Sequence, residues 1–169
     1  FKDMMIHDFD MAVFLMGSMP EAVIATGSVL TDKSIEMLGD FDSASAVLRW
    51  ADGRQLSISN SRRAKYGYDQ RVEVHGSLGM AAAENEYPVR IEVATAEGYI
   101  RPPLHDFFMT RYIAAYANEI NAFISAVGGA TGGGEAGGIP TGIDGLNALL
   151  IAEAALASAA SGRLITIES

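Results

Sequence analysis

Asp3, His7 and Asp10 stand four and three residues apart. On a helix that spacing puts all three side chains on one face, close enough to meet. A histidine flanked by carboxylates is equipped to accept a proton. The neighbouring charge favours the imidazolium and fixes the ring tautomer, which suits a base working near neutral pH. Asp8 points away from that face. A plainer reading makes Asp3 the helix cap, His7 a partly buried residue satisfied by a hydrogen bond, and Asp10 solvated surface; spacing alone favours it, because acid–histidine pairs arise often from helical geometry. One histidine and two carboxylates fall short of a closed structural metal site, so no metal is expected.

Further along, Tyr66-Gly67-Tyr68-Asp69-Gln70-Arg71 follows the basic patch Ser61-Arg62-Arg63-Ala64-Lys65. Aromatic faces beside hydrogen-bond donors are the vocabulary of small-molecule sites, although composition alone favours a strand edge with a solvated basic turn. Three cations in four positions of an acidic protein also admit a subunit contact. His75, mid-strand between Val74 and Gly76, reads as packing, and His105 as the start of a helix; neither has an obvious partner.

The elements that must position these groups can be read from period and punctuation. Apolar residues at Met4, Met5, Met11, Ala12, Phe14 and Leu15 recur at helical spacing and stop at Gly17, with Pro20 beyond. Short alternating or β-branched runs follow at 22–26, 44–50, 55–60, 71–75, 80–83 and 89–93. Asp52-Gly53 carries the signal of a tight hairpin between the second and third, and the runs together predict an antiparallel meander. From Phe107 to Ala126 the period is helical again, predicting one long helix. A second long helix starts after Thr141, with Asp144 three residues on as in a capping box. It ends near Gly162, before a last strand at 164–167. The expected fold is α+β, a mostly antiparallel open sheet with helices packed on one face.

Twelve basic against 21 acidic residues give a net charge of -9. Phosphate binding draws on clustered Lys and Arg, so nucleic acid and anionic membrane surfaces are disfavoured as partners. There is no cysteine, which removes disulfides and thiolate metal sites and is compatible with a reducing, cytoplasmic compartment. The longest apolar stretch, 146–160, is interrupted by Glu153 and is shorter than the roughly 20 residues that cross a bilayer. No membrane span is expected. The glycine-rich stretch 128–138 reads as a mobile connector. Its Gly132, Gly134 and Gly137 satisfy a dinucleotide pattern but follow a helix instead of a strand, and Glu135 would repel a pyrophosphate.

Phe1-Lys2-Asp3-Met4-Met5-Ile6-His7-Asp8-Phe9-Asp10-Met11-Ala12 resembles the inositol dehydrogenase branch of the Gfo/Idh/MocA family. So do Tyr66 to Val74 with Gly76-Ser77, Arg111-Tyr112 with Ala115-Tyr116 and Glu119-Ile120, and Thr141-Gly142 with Asp144-Gly145 and Ala152 to Ala155. The resemblance covers essentially the whole chain. It implies that residues 1–169 are the C-terminal substrate-binding and oligomerisation domain, and that the Rossmann domain holding most of the NAD or NADP lies outside this sequence. It further implies an NAD-dependent oxidation of a cyclic polyol to a ketone. His7 would take the proton of a ring hydroxyl, Asp3 would orient and polarise His7, and Tyr66 and Asp10 would contact polyol hydroxyls. A homodimer or homotetramer through the sheet is implied as well. Taken alone, residues near Phe1 are expected to fray, and the chain is expected to be catalytically inactive. A non-catalytic assembly module and a related sugar dehydrogenase are the alternatives.

Overall fold

Gly17 closes the first helix as its position predicts. In the computed structural model, which describes residues 1–128 and 139–168, α1 spans Met5–Met16, and Gly17 at φ 70° returns its N–H to the Val13 carbonyl. Glycine adopts that left-handed conformation without steric cost. The chain divides into two units, Phe1–Arg63 with Pro140–Ser169, and Ala64–Ile139.

The first unit holds β1 (Ala22–Ser28), β2 (Ser43–Arg49), β3 (Gln55–Ser61), α4 (Gly142–Ser161) and β8 (Ile165–Thr166) beside α1. Its sheet runs β3-β2-β1-β8, every pair antiparallel. Val23 faces Leu48, which faces Leu56, and Ala25 faces Ala46, which faces Ile58. Paired residues share a face, so these six form one apolar surface. The opposite surface carries Ile24, Thr26, Ser45, Ser57 and Ser59, all exposed. Met5, Phe9 and Ala12 of α1 and Ile151, Ala152 and Ala155 of α4 join the apolar side in one core with Trp50 and Ile167. The α+β fold with helices on one face of an antiparallel sheet is thus the one expected.

Two buried polar groups tie this unit together. β8 ends opposite Val23, which would orphan the Ala25 N–H; it donates instead to Ser158 Oγ of α4 at 2.9 Å, and that hydroxyl donates to the Arg163 carbonyl at 2.6 Å. A buried backbone donor needs such a partner. Asp42, 2% exposed, organises the β1–β2 loop. Its carboxylate accepts from the N–H groups of Leu30 (2.9 Å), Thr31 (2.7 Å) and Asp32 (2.9 Å) and from the Ser43 hydroxyl (2.9 Å). These donors, Leu30 first, hold its carboxyl far below the ordinary value near 3.8. A depressed native value means that the stabilisation is complete above that ordinary value and is lost as pH falls below it. Asp42→Asn is therefore expected to speed hydrogen exchange at the amides of residues 30–32 by roughly ten-fold or more at neutral pH. Unchanged exchange would remove Asp42 as the organiser of the loop.

Several local readings hold and others need correction. The Asp-Gly hairpin is present between β2 and β3, with Gly53 at φ 92°. α4 opens on the expected capping box, with Thr141 N donating to Asp144 Oδ2 at 2.6 Å, and closes at Gly162. The last strand is there but short. The end expected to fray is packed: Phe1 is 8% exposed and sits edge-on to Phe41 at 5.8 Å between ring centroids. α4 spans 20 residues and, alone among the described helices, is long and apolar enough to cross a membrane, longer than the stretch read from sequence. Its stripe Ala148, Ile151, Ala152, Ala155 and Ser158 is buried in the core.

The meander does not continue as one sheet. In the second unit β4 (Val72–Gly76) pairs only with β5 (Gly79–Ala83), and β6 (Val93–Thr95) only with β7 (Gly98–Ile100). The strand expected at 89–93 begins at its last residue. The long helix is split into α2 (Phe108–Arg111) and α3 (Ile113–Val127). The break falls at Tyr112, whose hydroxyl donates to Gln70 Oε1 and whose ring meets Tyr68 edge-on. None of the α3 residues is buried. The glycine-rich stretch from Gly129 to Gly138 lies outside the described residues.

Candidate active-site residues

α1 sorts its residues by burial. Met5, Phe9 and Ala12 face the core. His7 and Asp10 lie on the opposite, exposed face, which they share with Met11 and Phe14, the latter 65% exposed. A histidine and a carboxylate one turn apart among exposed apolar side chains form a surface suited to receiving another body or a ligand.

Asp3 lies outside the helix. The helix starts at Met5 with Met4 as its cap, and no side chain caps it, so Asp3 precedes the helical lattice on which the spacing argument depended. Its Oδ2 accepts instead from the Arg62 guanidinium just beyond β3. Among the described residues no hydrogen bond joins Asp3 or Asp10 to His7, and Asp3 Oδ1 carries none. Asp8 does point elsewhere: half-buried, it accepts from Asn60 Nδ2 of β3 at 2.9 Å. Burial pushes its carboxyl up, partly offset by the Asn60 bond. Asn60 Oδ1 is buried without a partner.

Tyr66 belongs to the other unit. Its segment is held by two backbone bonds: Leu104 N to the Tyr66 carbonyl at 3.1 Å and Tyr68 N to the His105 carbonyl at 2.6 Å. Between them Gly67 stands at φ 120°, and a Cβ there would lie 2.7 Å from Leu104 Cβ and 2.8 Å from the His105 carbonyl oxygen. Only glycine fits so close an approach. The Tyr66 ring is 56% exposed, and its hydroxyl donates to Asp69 Oδ2.

Sequence reasoning missed Arg62 as the partner of Asp3 and Asp69 as the partner of Tyr66. The second had a signal, a carboxylate three residues after an exposed tyrosine; the first is a contact across 59 positions with none. His75, read as packing without a partner, is exposed and lies 2.6 Å from Glu73 Oε1. His105, expected at the start of a helix, lies ahead of α2 and its Phe107 cap, and its carbonyl accepts from Tyr68 N. No three metal-ligating side chains converge among the described residues. A dinucleotide would need a strand, a glycine turn and a helix in a parallel βαβ unit. Every strand pair described here is antiparallel, and Gly132, Gly134 and Gly137 lie outside the described residues, so the described residues do not fit the phosphates of NAD.

Comparison with known proteins finds relatives along the whole chain. Residues 1–82 match the model of the GFO/IDH/MocA C-terminal domain. Over 167 residues the chain is 60% identical to the inositol 2-dehydrogenase of Rhizobium meliloti (strain 1021), covering 99% of this chain and 49% of that protein. The chain belongs to the Gfo/Idh/MocA family. Among solved structures, a myo-inositol dehydrogenase from Corynebacterium glutamicum ATCC 13032 superimposes with a TM-score of 0.89 at 38% identity, over 99% of this chain and 49% of the other. The scyllo-inositol dehydrogenase of Lactobacillus casei, solved with bound NAD(H) and scyllo-inositol, gives a TM-score of 0.85 at 25% identity, over 99% and 48%. The chain spans about half the length of the relatives it matches.

Proposed function

We propose that this chain is the C-terminal, substrate-binding half of a cytoplasmic NAD-dependent dehydrogenase that oxidises a secondary alcohol of a cyclic polyol, myo-inositol foremost, to a ketone. What supports the reading is His7 on the open face of α1, in a chain so similar along its length to an inositol 2-dehydrogenase. Bound by the other half of the protein, the nicotinamide ring of NAD or NADP supplies the acceptor for the hydride. The residues of this chain do the rest. His7 takes the hydroxyl proton onto its free ring nitrogen, which lets the alcohol carbon become a carbonyl. Asp3 orients His7 through Oδ1, the oxygen that Arg62 leaves open. Asp10, one turn along α1, and Tyr66 accept from other ring hydroxyls. The exposed face of the four-stranded sheet serves a homodimer or homotetramer.

The test is the formation of NADH or NADPH from a panel of inositols and aldoses by the protein carrying both halves. Turnover with an inositol supports the reading and names the substrate; no turnover with any polyol under either cofactor overturns it. A second reading, a non-catalytic assembly module, draws on the exposed apolar stripe Ile113, Tyr116, Ile120, Phe123 and Val127 of α3. It expects oligomers of the full-length protein with no affinity for polyols.

A further inference from the structure

Tyr66 enters the proposed function as a contact to the polyol, and its hydrogen bonding decides what kind of contact it can make. A tyrosine hydroxyl in the open can rotate to donate to a ligand or to accept from one. Here it cannot choose, because its proton is given to Asp69 Oδ2. Asp69 is itself clamped: Arg71 donates through Nε to Oδ1 at 2.8 Å and through Nη2 to Oδ2 at 2.9 Å, and Asn85 Nδ2 donates to Oδ1 at 2.6 Å. The Asp69 side chain of that pair is only 15% exposed. A bidentate guanidinium with a further amide donor fixes a carboxylate in both position and charge. Each of these partners also donates to Asp69, so the carboxylate stays an acceptor and Tyr66 meets it as a donor.

We propose that Asp69 is a positioning residue that makes Tyr66 an obligate acceptor, so that the site selects a ligand group carrying its own proton, such as a polyol hydroxyl, over one that offers only lone pairs. The inference rests on the reading of Tyr66 as a polyol contact. The surroundings agree with it. Asp69 pushes the Tyr66 phenol up, keeping it neutral, while Arg71 holds the Asp69 carboxyl far below the usual range. The tight fit of Gly67 against Leu104 and His105 keeps the root of the tyrosine from turning. Asparagine at 69 would invert the arrangement. Its oxygen takes the Oδ1 place facing Arg71 Nε and Asn85, its amide donates to the Tyr66 oxygen while the Arg71 Nη2 bond to that position is lost, and the phenol proton turns outward to the ligand.

The experiment is a double-mutant cycle of Tyr66→Phe and Asp69→Asn in the full-length protein, with KM for the polyol and kcat read separately, together with an ultraviolet titration of the phenols. Tyr66→Phe is expected to raise KM roughly five- to ten-fold, as for the loss of one hydrogen bond, with a smaller effect on kcat. Asp69→Asn should raise KM by a similar factor alone and by less than roughly two-fold when Tyr66 is already Phe. The phenol that disappears in Tyr66→Phe should titrate at lower pH in Asp69→Asn than in the parent. An unmoved titration overturns the Tyr66–Asp69 bond. A moved titration with additive KM effects overturns the acceptor role, since a merely structural Asp69 would act without Tyr66. Failure of the dehydrogenase reading shows separately, as absence of polyol turnover in the unmodified protein, and it takes the ligand assignment with it.

Discussion

His7→Ala, made in the full-length protein, is expected to lower kcat for the polyol by roughly 10²- to 10⁴-fold if the proposed reading holds, the usual worth of a positioned general base. The fold survives, because the side chain is exposed on α1 and touches no part of the core. Alanine is also the best helix former. Unfolding free energy should stay within roughly 0.5 kcal/mol of the parent, and cofactor affinity should be retained. The measurement is steady-state turnover beside an unfolding curve and a cofactor titration. Near-normal turnover would sink the proposed role of His7, and a collapsed unfolding curve would show that His7 supports structure instead. Asp3→Asn belongs in the same experiment. An orienting carboxylate predicts a loss in kcat smaller than that of His7→Ala, and none further when His7 is already Ala.

Phe9→Ala acts two residues along the same helix and by a different route. Phe9 is fully buried, on the α1 face that meets Ile151, Ala152 and Ala155 of α4 in the core. Truncating such a ring loses its transfer free energy and leaves a cavity that the neighbours fill only in part, at a cost of about 3–5 kcal/mol. Trp50 is the only tryptophan and lies 3% exposed in the same core, so its fluorescence during urea unfolding reports this unit and no other. Phe14→Ala is the control. That ring is 65% exposed on the opposite side of α1, and its loss should change stability by less than roughly 0.5 kcal/mol. Equal losses for the two variants would mean that the burial assigned to the two faces of α1 is wrong.

What could be read from sequence in this chain is what short-range chemistry decides. Gly17 and Gly162 end helices because a left-handed residue closes a last turn locally. The Asp52-Gly53 hairpin and the Thr141–Asp144 box are likewise complete within four residues. Asp3 shows where that reach ends. Its helical spacing to His7 was sound arithmetic applied to a residue outside the helix, and its hydrogen-bond partner Arg62 is brought near only by the sheet. The interruption at Tyr112 has the same origin, since Gln70 and Tyr68, which hold that residue, are some 40 positions away. In α3 the period was read correctly, yet none of its residues is buried among the described residues: periodicity shows that a face is apolar and is silent about what covers it. The residues proposed to meet the polyol were visible through family resemblance, whereas the clamp behind Tyr66 needed coordinates.

The loop between β1 and β2 folds around the Asp42 carboxylate much as an anion-binding loop folds around a phosphate, with successive backbone N–H groups turned toward one negative charge. The difference lies in the supply of the anion. Here it is tethered to the chain next to the strand that follows, so its effective concentration is set by geometry and cannot be diluted away. Such a loop owes nothing to the solutes around it: dialysis or competing phosphate leaves it ordered. A proton is the one small species that can dislodge its ligand, and only in acid.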